Sequence, residues 1–175
     1  SIWFAQDKAG ALSRWMDSLS GAKLPTIQLD IKQKHFQRLK FKRDQTIRDG
    51  SFMITHPDDF VPLQIRHEGR SIDAKARLKG DFVDHIQGNK WSYRIKLRGD
   101  FTIDGVRTFS LHAPKCRNHL SEWLFHKTMA KEGLIALRYQ FKELLINGES
   151  FGVYAFEEHF GKRLLENNRR REGPI

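Results

Sequence analysis

The apolar positions of this chain change period several times, and each change marks an element. Between residues 26 and 31, Ile27, Leu29 and Ile31 alternate with polar neighbours, the period-two pattern of a strand with one buried face. Residues 32–48 place Phe36, Leu39 and Ile47 on one side of a polar helix that Asp49-Gly50 ends. Residues 60–67 and 71–79 flank Glu68-Gly69-Arg70, a hairpin signal. In the second of these strands Ile72, Ala74, Ala76 and Leu78 face one way, and Asp73, Lys75, Arg77 and Lys79 the other. After a polar loop over 80–89, residues 90–97 repeat the scheme. Trp91, Tyr93, Ile95 and Leu97 share one face, opposite Lys90, Ser92, Arg94 and Lys96. A turn at Asp104-Gly105 precedes a short strand over 106–111.

Residues 117–131 read as a helix with Leu120, Leu124, Met129 and the stem of Lys127 on one side, stopped by Gly133. The plainest signal is a β-hairpin over 138–156 that turns at Asn147-Gly148, because both residues tolerate the positive φ of a tight two-residue turn. A last helix is expected over 160–170. At the other end, Trp3, Leu12, Trp15, Met16 and Leu19 recur at helical spacing, so residues 1–23 read as an amphipathic helix apart from a domain over 24–175. The expected fold class is α+β: an antiparallel sheet with the helix of 117–131 packed on it, preceded by two helices and an edge strand.

Composition narrows the chemistry. The 175 residues, 39% of them apolar, suffice for one domain with a core. No apolar run approaches the roughly 18–20 residues that span a bilayer. The one cysteine, Cys116, excludes an intramolecular disulfide and a Cys-rich zinc site. The net charge of +10 suits anionic partners. The cations are spread along the chain, however, and no nucleic-acid module signature is present, which argues against nucleic acid. Phosphate-binding and hydrolase motifs of the common kinds are absent. His112, His119 and His126 are spaced by seven, but the first precedes the helix, and Asp81 and Asp84 lie in a polar loop. The basic face of Lys90, Arg94 and Lys96, after a loop with Gly80 and Gly88, suits either a phosphate-bearing ligand or solvent.

Together these pieces resemble the spore coat protein H (CotH) kinase family. The likeness rests on Leu24-Pro25-Thr26-Ile27; on ARLKGDF at 76–82 with NKWSYRIKL at 89–97; on HLSEWLFHKTMAKEGL at 119–134; and on LLINGESFGVYAFEEHF at 144–160. It implies the N-terminal lobe of an atypical protein-kinase-like fold that binds ATP with magnesium and phosphorylates a protein substrate. Lys96 would contact phosphate and Glu122 would orient it, the ion pair that kinases require. Lys90 is the rival lysine. Gly80 would lie over the phosphates, and Phe156, Glu157 and Glu158 would form the hinge beside the adenine. The loop departs from the family's Arg-Gly-Asn-Ser type, reading Lys79-Gly80-Asp81-Phe82. Magnesium ligands and catalytic acids are expected beyond the hinge, so the piece alone is expected to be inactive. Family habit adds a cell-envelope location and a membrane anchor upstream. The alternative is a non-catalytic surface or scaffold module that binds a partner protein.

Overall fold

Strict alternation builds the sheet. The computed structural model describes residues 24–50 and 52–170, so the amphipathic helix expected over 1–23 lies outside the described residues. In β1 (Thr26–Asp30), β2 (Val61–His67) and β3 (Arg70–Leu78) every second side chain is buried. β4 (Tyr93–Leu97) and β5 (Thr108–His112) follow, then β6 (Tyr139–Ile146) and β7 (Glu149–Glu158). The helices are α1 (Gln33–Asp49), α2 (Ser121–Lys131) and α3 (Lys162–Asn167).

The strands are ordered β1-β2-β3-β4-β5-β7-β6 and close into a barrel. Neighbours are antiparallel except at the seam, where β1 runs parallel to β6 with Ile27 beside Leu144. This overturns the expected α+β sheet with packed helices and its likeness to a kinase lobe. The protein is a closed mixed β-barrel carrying three short helices among the described residues. The physical reason lies in β1. Alternation shows which face of a strand is buried but not which of its edges is paired. β1 reads as an edge strand, yet it pairs β2 on one side and β6 on the other. The helix packing also differs. No residue of α2 is buried as a whole, and Leu120 and Leu124, expected to dock on the sheet, are about 60% exposed.

Apolar side chains fill the barrel. Tyr93, Ile95, Phe109, Leu111, Tyr154 and Phe156 are almost wholly buried, with Phe109 and Phe156 stacked at 4.4 Å between centroids. The small Ala74 and Ala76 on β3 leave room for these rings. One cation shares the interior: Lys142 is buried, lies 5.3 Å from the centroid of the Phe156 ring, and pairs with Asp104 at 2.7 Å.

The Asn147-Gly148 turn helps make the seam. Asn147 sits at φ 51°, its Oδ1 accepts from the Ile31 N–H at 2.7 Å, and its Nδ2 donates to the Ile31 carbonyl at 3.0 Å. Its own N–H donates to the Leu29 carbonyl at 2.9 Å, continuing the β1–β6 ladder past β6. Asn147→Ala removes both side-chain bonds and strains the turn, and should cost about 2–3 kcal/mol in urea denaturation. A cost below about 0.5 kcal/mol, the level of an ordinary surface change, would show that the turn does not hold the seam.

Candidate anion-binding site on the outer wall

With the inward faces filled by apolar residues, the charged alternates of β3, β4, β5 and β7 stand on the outside. Register lines them up in rows. One row runs Arg77, Arg94, Ser110, Glu157, and the next runs Lys75, Lys96, Thr108. Lys79 lies one step past β3, held by its N–H to the Ser92 carbonyl at 2.8 Å. There its ammonium reaches across the wall and pairs with the Glu157 carboxylate. Both side chains are nearly buried, at 11% and 13% exposure. His112, fully buried, brings Nε2 to 3.3 Å from the same carboxylate oxygen. Arg94 bonds the ring of His159.

Four buried polar atoms around this pair make no hydrogen bond within the protein: Arg94 Nε, Ser110 Oγ, the Tyr139 hydroxyl and His112 Nε2, the last for all its nearness to Glu157. Buried polar groups are normally satisfied, so such a cluster on one wall is unusual. Tyr139 stacks on His126 at 5.9 Å between centroids and meets the edge of His112 at the same separation.

Burial works to raise the pKa of Glu157, but His112 and the charge of Lys79 outweigh it and hold the carboxyl down at about 2. Burial pulls Lys79 below the usual lysine value; Glu157 opposes the pull, while Arg94 and Arg117 add to it. Burial likewise lowers Arg94 and Arg77, against the attraction of Glu157 for the first and of Asp59 and Asp81 for the second. The cluster therefore gathers Lys79 and Arg94 at the Glu157 carboxylate, with Arg77 one outward position before Lys79 on β3. An entering anion would ease the repulsion of Arg94 by Arg77 and of Lys79 by Arg94.

The residues singled out from the sequence do not converge on one site. Lys96 is exposed, with its ammonium 5.0 Å from the centroid of the Phe60 ring. Glu122, on α2, lies 3.4 Å from Arg117 Nε and 4.0 Å from His126 Nε2. No ion pair joins Lys96 to Glu122 among the described residues. Lys90 leaves the basic face: its Nζ lies 3.4 Å from the Val153 carbonyl and 5.6 Å from the centroid of the Tyr154 ring. Gly80, at φ 120°, serves packing, since a Cβ there would fall 2.4 Å from His85 Cβ. Phe156 points into the barrel core. Glu158 is buried and accepts from the Arg138 N–H and from Asn167 Nδ2, each at 3.1 Å. Glu157 alone of that set belongs to the cluster.

Lys79, His112, Ser110 and Tyr139 were not singled out as a group. Alternation puts Lys79 on the outward face, but its partner lies 78 positions away, and only the register brings them together. Among the described residues, no group of three or more His, Cys, Asp or Glu is arranged to hold a metal ion. No described helix is long and apolar enough to cross a membrane.

The Glu157 value makes a testable prediction. Its carboxyl titrates near the ordinary 4.5 in the unfolded chain and near 2 in the fold. A depressed folded pKa stabilises the fold above the unfolded value, and that contribution is lost as pH falls from about 4.5 to about 2. Denaturation midpoints measured across this window should fall steeply for the native chain, and Glu157→Gln should flatten the curve by about 3 kcal/mol. Parallel curves would contradict the assignment. Compared with known proteins, the chain matches no family model, and no curated protein matches it.

Proposed function

We propose that the outer wall of β3, β4, β5 and β7 binds a phosphate-bearing ligand at the Lys79–Glu157 pair, and that the ligand is a nucleotide donating phosphate to protein. The observation that carries this reading is the nearly buried lysine held by a carboxylate and flanked by Arg77 and Arg94. Lysine acts as a point charge on phosphate oxygens, and arginine can add paired hydrogen bonds. The unpartnered Ser110 and Tyr139 hydroxyls supply further donors. A lysine oriented by a glutamate is also the device by which phosphoryl-transfer enzymes hold a nucleotide. The motif resemblance to the CotH kinase family makes ATP with magnesium the first ligand to try. The described residues offer magnesium no ligand set of their own.

A second reading has its own support. α2 turns His126 toward the wall but leaves Leu124 and Phe125 exposed, as is Leu120 just before it, which suits a non-catalytic module that holds a partner protein.

Titration calorimetry with ATP–magnesium, and with tripolyphosphate alone, separates the two. Both should bind, and Lys79→Met should weaken them at least about tenfold, the loss expected for a charge-assisted contact to phosphate. Lys96→Met should cost less. Because Lys79→Met strands Glu157, the Lys79→Met/Glu157→Gln double variant serves as the folded control. Undiminished binding in that double variant would overturn the site. Absence of binding by either phosphate compound to the native chain would leave the partner-binding reading.

A further inference from the structure

The wall carries a second feature that the Lys79–Glu157 pair does not need. Lys75 stands directly opposite Lys96, and Arg77 directly opposite Arg94, in two consecutive cross-strand rows. Like charges directly opposite each other destabilise a strand pair, and repeating the fault in the next row compounds it. None of the four makes an ion pair with a carboxylate among the described residues. Asp59 and Asp81 attract Arg77 and Glu157 attracts Arg94, but none of them forms an ion pair with these cations. Three of the nearby acids have other partners. Glu157 pairs with Lys79. Asp73 accepts from Gln64 Nε2, and Asp59 pairs with Lys42 at 3.4 Å while accepting from the His56 N–H. The cations are also gathered. Lys75 Nζ, Arg77 Cζ and Lys96 Nζ lie 5.2, 5.5 and 5.0 Å from the centroid of the one Phe60 ring.

We infer that the outer wall of β3 and β4 is a docking track for an acidic, extended segment of a partner protein. Outward positions on a strand repeat about every 6.6–6.8 Å, and carboxylates at alternate positions of an extended peptide repeat at the same distance. Such a segment laid along β3 would put one acid on the Lys75–Lys96 row and the next on the Arg77–Arg94 row. Nucleic acid fits the same charge less well. The aromatic ring in the patch, Phe60, is already taken up by three cations and offers bases no stacking platform. β3 and β4 each have both edges paired within the barrel, so the segment would lie on their side chains and would not add as a further strand. The track shares its Arg77–Arg94 row with the phosphate site proposed above, but its Lys75–Lys96 row lies outside that cluster and reads the track alone.

The test is fluorescence anisotropy with a labelled peptide of alternating Glu and Ser, beside a peptide of the same composition with its Glu residues in one block, and a single-stranded oligonucleotide. At about 50 mM salt, where surface charges are weakly screened, the alternating peptide should bind best. The Lys75→Gln/Lys96→Gln variant should lose about tenfold in affinity for it, the sum of two exposed charge contacts. The same variant should melt within about 3 °C of the native chain, because the relieved repulsion and the lost contacts to the Phe60 ring are of similar size. A retained melting point separates lost docking from lost folding. Equal peptide binding by native and variant chains, or tighter binding of the oligonucleotide, would each overturn the track. ATP binding by the same samples reads the Lys79 cluster separately, so either proposal can fail alone.

Discussion

The parallel pairing of β1 with β6 is the constraint on which the rest depends. Without it, the seven strands would form an open sheet with β1 and β6 as exposed edges. With it, every strand has two neighbours, and one face of each is committed to the interior. Closure is made by few residues: the register from Thr26 beside Glu143 to Leu29 beside Ile146, extended by Asn147 onto the backbone of Ile31. The turn that reverses the chain between β6 and β7 thus also fastens the first strand to a late one, across a separation of 116 positions.

Closure sends the charge outward. A barrel of this size is filled by its own side chains, here Tyr93, Phe109, Tyr154 and Phe156 with the small Ala74 and Ala76 between them. The cations on β3 and β4 therefore share one outer wall. Lys79 and Glu157 are nearly buried there, where each would be costly to bury alone. Lys75 and Lys96 are exposed to solvent. The same alternation thus yields two kinds of cation: one paired and desolvated, the others exposed and mutually repelling. The first kind suits a small, specific anion, and the second suits a longer acidic chain.

Local elements were legible in the sequence because each rests on neighbours close along the chain. The Asn147-Gly148 hairpin, the β2–β3 hairpin and α1 follow from alternation, turn chemistry and a glycine stop. Closure was not legible, since nothing in Ile27, Leu29 or Ile31 shows that both edges of β1 are used. The packing of α2 misled for a related reason: Leu120 and Leu124 have helical spacing, but the structure leaves them exposed. The choice among lysines turned on the same limit. Lys79 and Lys96 alternate on one face, and only the cross-strand register shows that Lys79 reaches Glu157 while Lys96 lies over Phe60.

The central claim is that Lys79 and Glu157 form one coupled unit on the outer wall of a closed barrel. A double-mutant cycle of Lys79→Met and Glu157→Gln, read by chemical denaturation at neutral pH, tests it most directly. Each single variant should destabilise by about 2–4 kcal/mol because it strands a nearly buried partner, and the double variant should be less destabilised than the sum of the two by about 2 kcal/mol or more. Strict additivity of the two changes would contradict the account.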